Sequence, residues 1–350
     1  MKIHNNFIGG NAVVTKIEGS EVYIENELRD TERDWFYWAF SVEGAEGKTL
    51  TFNLQQTRLG YFGPAISHDL ISWSWLSEEN LWENSFSYSF SKDENKVYFA
   101  HHLLYHPERF LRLTKELNLY TAELCKSKKG RPVPYLKIGD GKKSIILTAR
   151  HHACESTGSY VLEGVLRELS SCGIEDTSVF VIPFVDYDGV IDGDQGKARA
   201  PHDHARDYVD TPLYPEIKSI KEIIETNGCK CGFDFHSPYH SGGENDTAFI
   251  VRNSLEKLDR FDLFSSLLEK ECGNSTMPYR KENDHPPFVT WNQPSKNFAC
   301  YLNGKEWCDI AFTLETAYFG KKDCPVSEER LISFGRAFAR ALKKYLNRET

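Results

Sequence analysis

Up to residue 105 the apolar positions come in short runs: Ala12–Ile17, Glu21–Ile24, Trp35–Val42, Thr49–Leu54, Ser85–Phe90 and Lys96–Ala100. Aromatic and β-branched residues dominate them, and Gly, Asn and Asp interrupt them at roughly ten-residue spacing. That pattern predicts an all-β antiparallel sandwich rather than alternating strands and helices. After His106-Pro107, Phe110, Leu111, Leu113 and Leu117 fall at near-helical spacing within Glu108–Leu119. A domain boundary is placed in this connector, giving an N-terminal sandwich over 1–110 and a second domain over 111–350.

Beyond residue 120 the apolar runs Ser144–Ala149, Ser178–Val185, Gly232–Phe235, Ala248–Val251 and Asp309–Leu314 alternate with helix-like stretches such as Gly158–Leu169 and Pro215–Thr226. Strands buried on both faces read this way, so the second domain is expected to be α/β, a mixed central sheet flanked by helices. The last helix has the fullest signature. Ser327 is suited to cap it, Glu328 and Glu329 to sit at its positive start, and Leu331, Phe334, Phe338 and Leu342 form one apolar stripe before Lys343, Lys344 and Arg348.

Candidate chemistry sits at the strand ends. Ser144-Ile-Ile-Leu-Thr-Ala149 runs into Arg150-His-His-Ala-Cys-Glu155, and the i, i+3 spacing of His152 and Glu155 lets an imidazole and a carboxylate point at one ion. Alone, such a pair is a common solvated surface feature. His236 ends the apolar run Cys231-Gly-Phe-Asp-Phe-His236, and Glu315 ends Asp309-Ile-Ala-Phe-Thr-Leu-Glu315. Ligand sites in α/β sheets form outside the carboxyl ends of strands. Two histidines, one carboxylate and a separate glutamate base are the set that metal-assisted hydrolysis needs.

At these positions the chain resembles the zinc metallocarboxypeptidases, most closely the cytosolic carboxypeptidase branch. Trp35-Phe-Tyr-Trp-Ala-Phe, Phe86-Ser-Tyr-Ser-Phe and Val97-Tyr-Phe-Ala resemble the β-sandwich that precedes the peptidase there. Asp186-Tyr-Asp-Gly-Val190 is similar to that family's Asn-Pro-Asp-Gly-Val, Asp203-His-Ala-Arg-Asp-Tyr208 to its Asp-Leu-Asn-Arg-Asn-Tyr, and Leu314-Glu-Thr-Ala317 to the segment carrying its base. The resemblance implies one zinc per chain on His152, Glu155 and His236, with Glu315 as general base. It implies that Asp203 orients His152 and that Arg206 grips the substrate's terminal carboxylate. Two positions depart from the family. Its Asn before that arginine is Ala205, and its carbonyl-polarising arginine falls on Gly196, with Lys197 and Arg199 alongside; Lys197 is taken as a further substrate-binding residue. Tyr301 is a candidate for the family's mobile tyrosine, or else a core residue.

The expected activity is removal of C-terminal or branch-point amino acids from peptides or proteins. An aspartoacylase-like deacylase and a zinc-retaining binding protein without turnover are the rivals. Net charge sharpens the partner list. At -9, and without a basic block, the chain is not expected to bind nucleic acid, and repulsion disfavours long acidic tails. No apolar run approaches the ~20 residues that span a bilayer, and the start lacks a secretion signal, so cytoplasmic residence without membrane association is expected. Nine cysteines in a chain this long are read as mostly free thiols, including Cys229 and Cys231.

Overall fold

A computed structural model describes residues 1–76 and 78–349. The N-terminal part is two five-stranded sheets stacked face to face. One is ordered Lys2–His4, Ala39–Glu43, Lys96–Ala100, Ala65–Ser67, Ser74–Trp75; the other is Val13–Glu18, Glu21–Glu25, Thr49–Gln55, Ser85–Ser89, Leu81–Trp82. Pairing is antiparallel with one exception: Glu21–Glu25 runs parallel to Thr49–Gln55. Between these two strands the chain crosses into the other sheet through Ala39–Glu43, so it returns in the same direction. Phe40 and Phe99, cross-strand partners in the first sheet, meet Phe52 and Phe86, cross-strand partners in the second, in one buried aromatic cluster.

The strand expected over Trp35–Val42 begins only at Ala39. Residues 35–38 divide their rings among three apolar clusters, Phe36 in one, Tyr37 in another, Trp38 in a third. Their backbone groups find partners outside any ladder. Gln195 accepts from the Tyr37 N–H at 3.0 Å and donates to its carbonyl at 2.8 Å. Where the strand does form, its other face carries Ala39, matched across neighbouring strands by Ala100 and Ala65. These small side chains let the sheet lie directly against the second part of the chain, and all three belong to that part's core cluster.

The second part is built on a seven-stranded sheet ordered Thr121–Lys126, Pro132–Ile138, Thr177–Ile182, Lys143–Ala149, Cys231–His236, Ile310–Thr316, Ala248–Arg252. The four central strands are mutually parallel and the outer pairings antiparallel. Alternate residues face opposite helix layers. Ile145, Leu147 and Ala149 join the helices Thr157–Cys172, Leu258–Glu271 and Glu328–Leu346 on one side. Ile146, Phe180 and Ile182 join Pro215–Asn227 and Phe298–Asn303 on the other. Ser327 caps the last helix, its Oγ accepting from the Arg330 N–H at 3.2 Å.

A buried ionic clasp links the two parts. Arg109, on the connecting helix Pro107–Glu116, donates to Glu163 at 2.9 Å, to Glu328 at 2.6 Å and to the Ile71 carbonyl at 2.8 Å. Glu328 also accepts the Trp73 N–H at 2.8 Å. Glu163 is 1% exposed and also accepts from Arg167 Nε at 3.0 Å, so two guanidinium partners offset the cost of burying it.

Helices Thr157–Cys172 and Glu328–Leu346 touch backbone to backbone at Gly164 and Gly335, where an added Cβ on Gly164 would lie 2.0 Å from the Ile332 carbonyl oxygen. Gly164→Ala gains about 1 kcal/mol of helix propensity. Forcing the helices apart costs roughly 1–3 kcal/mol and disturbs the packing of both against the sheet. A lower urea midpoint is expected; a midpoint that stays or rises would show that the crossing tolerates separation.

Candidate metal centre

The site is assembled by the ends of three neighbouring parallel strands. Residue pairs Thr148–Asp234 and Ala149–Phe235 align the first with the second, and His236–Glu315 aligns the second with the third. Past Ala149 the chain turns sharply at Arg150, whose φ is 65°. Its buried guanidinium stabilises the turn by donating to the Ala153 carbonyl at 2.9 Å. This brings His152 and Glu155 back over the sheet edge. The following helix is pinned there: the Thr157 hydroxyl donates to the Thr316 carbonyl at 2.8 Å and therefore accepts from Ser237 Oγ at 2.5 Å. One side chain thus ties the first strand's exit to the ends of the other two.

His152, Glu155 and His236 are buried, and one donor atom from each lies within 4.8 Å of the others. Glu155 Oε1 is 3.0 Å from His152 Nδ1, and its Oε2 is 2.6 Å from His236 Nδ1. Both rings therefore present Nδ1 to a common point beside the carboxylate. The opposite nitrogen of His236 contacts Asp234 Oδ2 at 2.6 Å, the outer hydrogen bond that fixes a ligand's tautomer. For His152 the corresponding group is Asp203, whose Oδ1 is 3.8 Å from Nε2 and has no hydrogen-bond partner among the described residues. That distance is too long for a hydrogen bond. Two imidazoles and a carboxylate, buried and oriented in this way, fit a divalent metal of borderline softness.

A second grouping, His151, Asp234 and His236, shares one of these histidines. Its atoms are already committed to each other: Asp234 Oδ1 meets His151 Nδ1 and the Thr148 hydroxyl, both at 2.8 Å, and His151 Nε2 meets the Tyr208 hydroxyl at 2.9 Å. It is a hydrogen-bonded relay behind the ligands rather than a second cage. Asp234, two residues before His236 on the same strand face, was given no role by motif spacing. A charged residue inside an otherwise apolar strand was the signal available.

The electrostatics follow from burial and pairing. Burial lowers His152 to about 4 against the pull of Glu155. For His236 burial acts downward too, but Asp234 and Glu155 outweigh it and hold the ring well above its usual range. Burial pushes the Glu315 carboxyl up to about 7, with Glu155 adding to the rise, and its Oε2 has no hydrogen-bond partner among the described residues. Glu315 shares a cleft of about 150 Å³ with His152, His236, Lys197 and Arg206.

The cations near the cleft are sorted clearly. Lys197 Nζ lies 2.7 Å from Glu155 Oε1 and 4.7 Å from the centroid of the Trp35 ring. Arg199 is committed elsewhere, to Asp186, Asp30 and Asp194 at 2.8–3.0 Å. Position 196 itself cannot carry an arginine without moving the backbone: its φ is 74°, and a Cβ would stand 2.1 Å from the Ala153 nitrogen. Arg206 is exposed, donates to the Ala205 carbonyl at 3.2 Å, and forms no ion pair among the described residues. Tyr301 lies away from this group, on the helix Phe298–Asn303, with its hydroxyl 2.5 Å from Glu225.

No family model matches the chain. Among solved structures it is similar to a metallo-carboxypeptidase from Burkholderia cenocepacia, with 16% identity, a TM-score of 0.80, and 100% and 99% of the two chains covered. It is also similar to a metallo-carboxypeptidase from Pseudomonas aeruginosa, with 19% identity, a TM-score of 0.78 and 99% of each chain covered. The chain therefore has the metallocarboxypeptidase fold, including the preceding β-sheets. In sequence it is 23% identical to an uncharacterized protein of Zymomonas mobilis over 93% of this chain and 90% of the other. It is 24% identical to human cytosolic carboxypeptidase 6 over 75% of this chain, a match that spans 58% of the human protein.

Replacing Asp234 by Asn removes the charge that holds His236 and reverses one of its hydrogen bonds. Metal affinity is expected to fall about 10–100-fold, read by competition with a chromophoric chelator; unchanged affinity would show that Asp234 has no bearing on the ligand set.

Proposed function

We propose that this chain is a zinc-dependent metallocarboxypeptidase that removes C-terminal or branch-point amino acids from peptides or proteins. The observation that carries the reading is the convergence of His152, Glu155 and His236 on one point, with Glu315 in the same cleft. Similarity to metallo-carboxypeptidases and cytosolic carboxypeptidases supports it.

In this reading His152 and His236 through Nδ1, and Glu155 through its carboxylate, hold one zinc per chain. When bound, zinc would lower the pKa of water toward ~7 and act as a Lewis acid on the scissile carbonyl. Glu315 takes the water's proton and later delivers it to the leaving amine, and its position in the same cleft as the ligands suits both transfers. Lys197 reaches the cleft where the family's arginine cannot stand, and supplies positive charge beside the carbonyl oxygen. Arg206, without a carboxylate partner of its own, grips the substrate's terminal carboxylate. Asp203 is positioned behind His152. Cytoplasmic residence fits the cysteines, none of which is joined in a disulfide among the described residues. No helix among the described residues is long and apolar enough to cross a membrane.

Product mass spectrometry on a mixed peptide library tests the reaction: wild type should release single C-terminal residues. Glu315→Gln should retain zinc by elemental analysis yet lose roughly 10²–10⁴-fold in kcat. Loss of the metal in that variant would make Glu315 a ligand instead, and an unimpaired variant would remove it from catalysis.

Arg206 tests the exopeptidase part. A charge-assisted contact to a carboxylate is worth ~1.5–3 kcal/mol. Arg206→Ala should therefore lower kcat/KM for free-acid peptides about 10-fold to 100-fold while scarcely changing it for C-terminally amidated ones. Equal losses on both forms would assign Arg206 a structural role.

A further inference from the structure

The cleft continues beyond the metal ligands along one face of the sheet. His236 and Glu315 are cross-strand partners; two residues back on each strand, Asp234 and Thr313 are partners, and Thr313 is matched in turn by Val251. Asn253 comes two residues after Val251, just past the strand's end, and lines the same cleft. Gln293, Ser295 and Asn297, from the loop after Trp291, line it with them.

A chain of hydrogen bonds fixes the direction of these carboxamides. Asn292 Nδ2 donates to the Arg252 carbonyl at 2.8 Å and to the Pro286 carbonyl at 2.9 Å. Both of its N–H groups are used, so its oxygen must accept, and it does so from Asn253 Nδ2 at 3.1 Å. Asn253 is 5% exposed, and this leaves its Oδ1 buried without a partner. The reverse amide orientation would set two oxygens against each other. Gln293 repeats the arrangement, with Nε2 donating to the Phe288 and Thr290 carbonyls at 3.3 and 2.8 Å. Asn297 uses its amide N–H on Ser295 Oγ and its oxygen on the Cys300 N–H. The far end of the cleft is thus lined by neutral groups: Asn253 Oδ1 is an acceptor that no described residue pairs, while Asn253 and Asn297 each commit only one of their two amide N–H groups to described residues.

We infer that this end of the cleft receives the side chain of the residue being released, and that it selects a neutral side chain carrying an N–H donor, glutamine or asparagine, over glutamate. The inference rests on the exopeptidase reading above. A carboxylate can donate nothing to Asn253 Oδ1 and gains no counter-charge there, since the cations lining the cleft, Arg206 and Lys197, are assigned to the terminal α-carboxylate and to the scissile carbonyl. An apolar side chain leaves Asn253 Oδ1 unpaired. A lysine or arginine would have to shed its hydration with no unpaired carboxylate among Gln293, Ser295, Asn297, Asn253 and Thr313 to receive it. Sites built to hydrogen-bond a substrate group reject the analogue lacking it far more strongly than apolar pockets reject a change of size.

The test uses the zinc-loaded enzyme and four peptides identical except for a last residue of Gln, Glu, Leu or Lys. Wild type should release Gln with a kcat/KM at least about tenfold above the other three, and free L-glutamine should inhibit more strongly than L-glutamate. Asn253→Leu should bring the Gln-to-Leu ratio to about one or below; the ratio is taken within one preparation, so any loss of folded enzyme cancels. Glu, Leu or Lys released as fast as Gln by wild type would overturn the pocket assignment and leave the exopeptidase reading standing. An unchanged Gln-to-Leu ratio in Asn253→Leu would also overturn it. Release of no residue from any peptide would overturn both.

Discussion

The register of three parallel strands is the constraint on which the site depends. Lys143–Ala149, Cys231–His236 and Ile310–Thr316 must pair so that His236 stands beside Glu315 and the first strand exits above them. Side chains alternate faces along a strand, so a slip of one residue would send Asp234 and His236, or Thr313 and Glu315, into the opposite helix layer. Apolar side chains on both faces make that slip expensive, since Phe233, Phe235, Phe312 and Leu314 would be driven toward the polar cleft. The hydrophobic core therefore specifies the position of the chemistry.

Charge placement follows the same economy of burial. Glu155 is 1% exposed, yet His152, His236 and Lys197 all contact it, and Asp234 is held by His151, His236 and Thr148. Networks this dry are rigid when every member is satisfied. Three of the buried atoms without a hydrogen-bond partner among the described residues, Glu315 Oε2, Asp203 Oδ1 and Asn253 Oδ1, belong to residues of the site, where a ligand or substrate would supply a partner.

The chain's own pattern disclosed its central strands and the four residues at their ends, because strands buried on both faces leave long apolar runs and a polar residue ending such a run is conspicuous. It disclosed less at the margins. Pro132-Val-Pro-Tyr135 argues against a strand, yet Pro132–Ile138 forms one between Thr121–Lys126 and Thr177–Ile182, with its register broken by a bulge near Cys125. The helix Leu258–Glu271 mixes charged and apolar residues without a side-chain cap, so no local pattern marks it. Asp234, Asn253 and Asn292 acquire their roles from face, register and a folded loop, none of which a local pattern carries. The same holds for the carboxylates of Asp30, Asp186 and Asp194, which gather around Arg199 only in the folded chain.

The alanine-faced sheet and the Arg109 clasp have an implication for modularity. The N-terminal sheets are joined to the rest by a continuous apolar core, by bonds between the Gln195 carboxamide and the Tyr37 main chain, and by a guanidinium that binds Glu163 and Glu328 while anchored to Ile71. Trp35 even forms the wall behind Lys197. Excising residues 1–110 would strip Arg109 from Glu163, uncover the apolar surface that Ala39, Ala65 and Ala100 now seal, and take the Trp35 ring away from Lys197. The two parts are packed as one unit, so grafting this sandwich onto another peptidase would require the seam to travel with it.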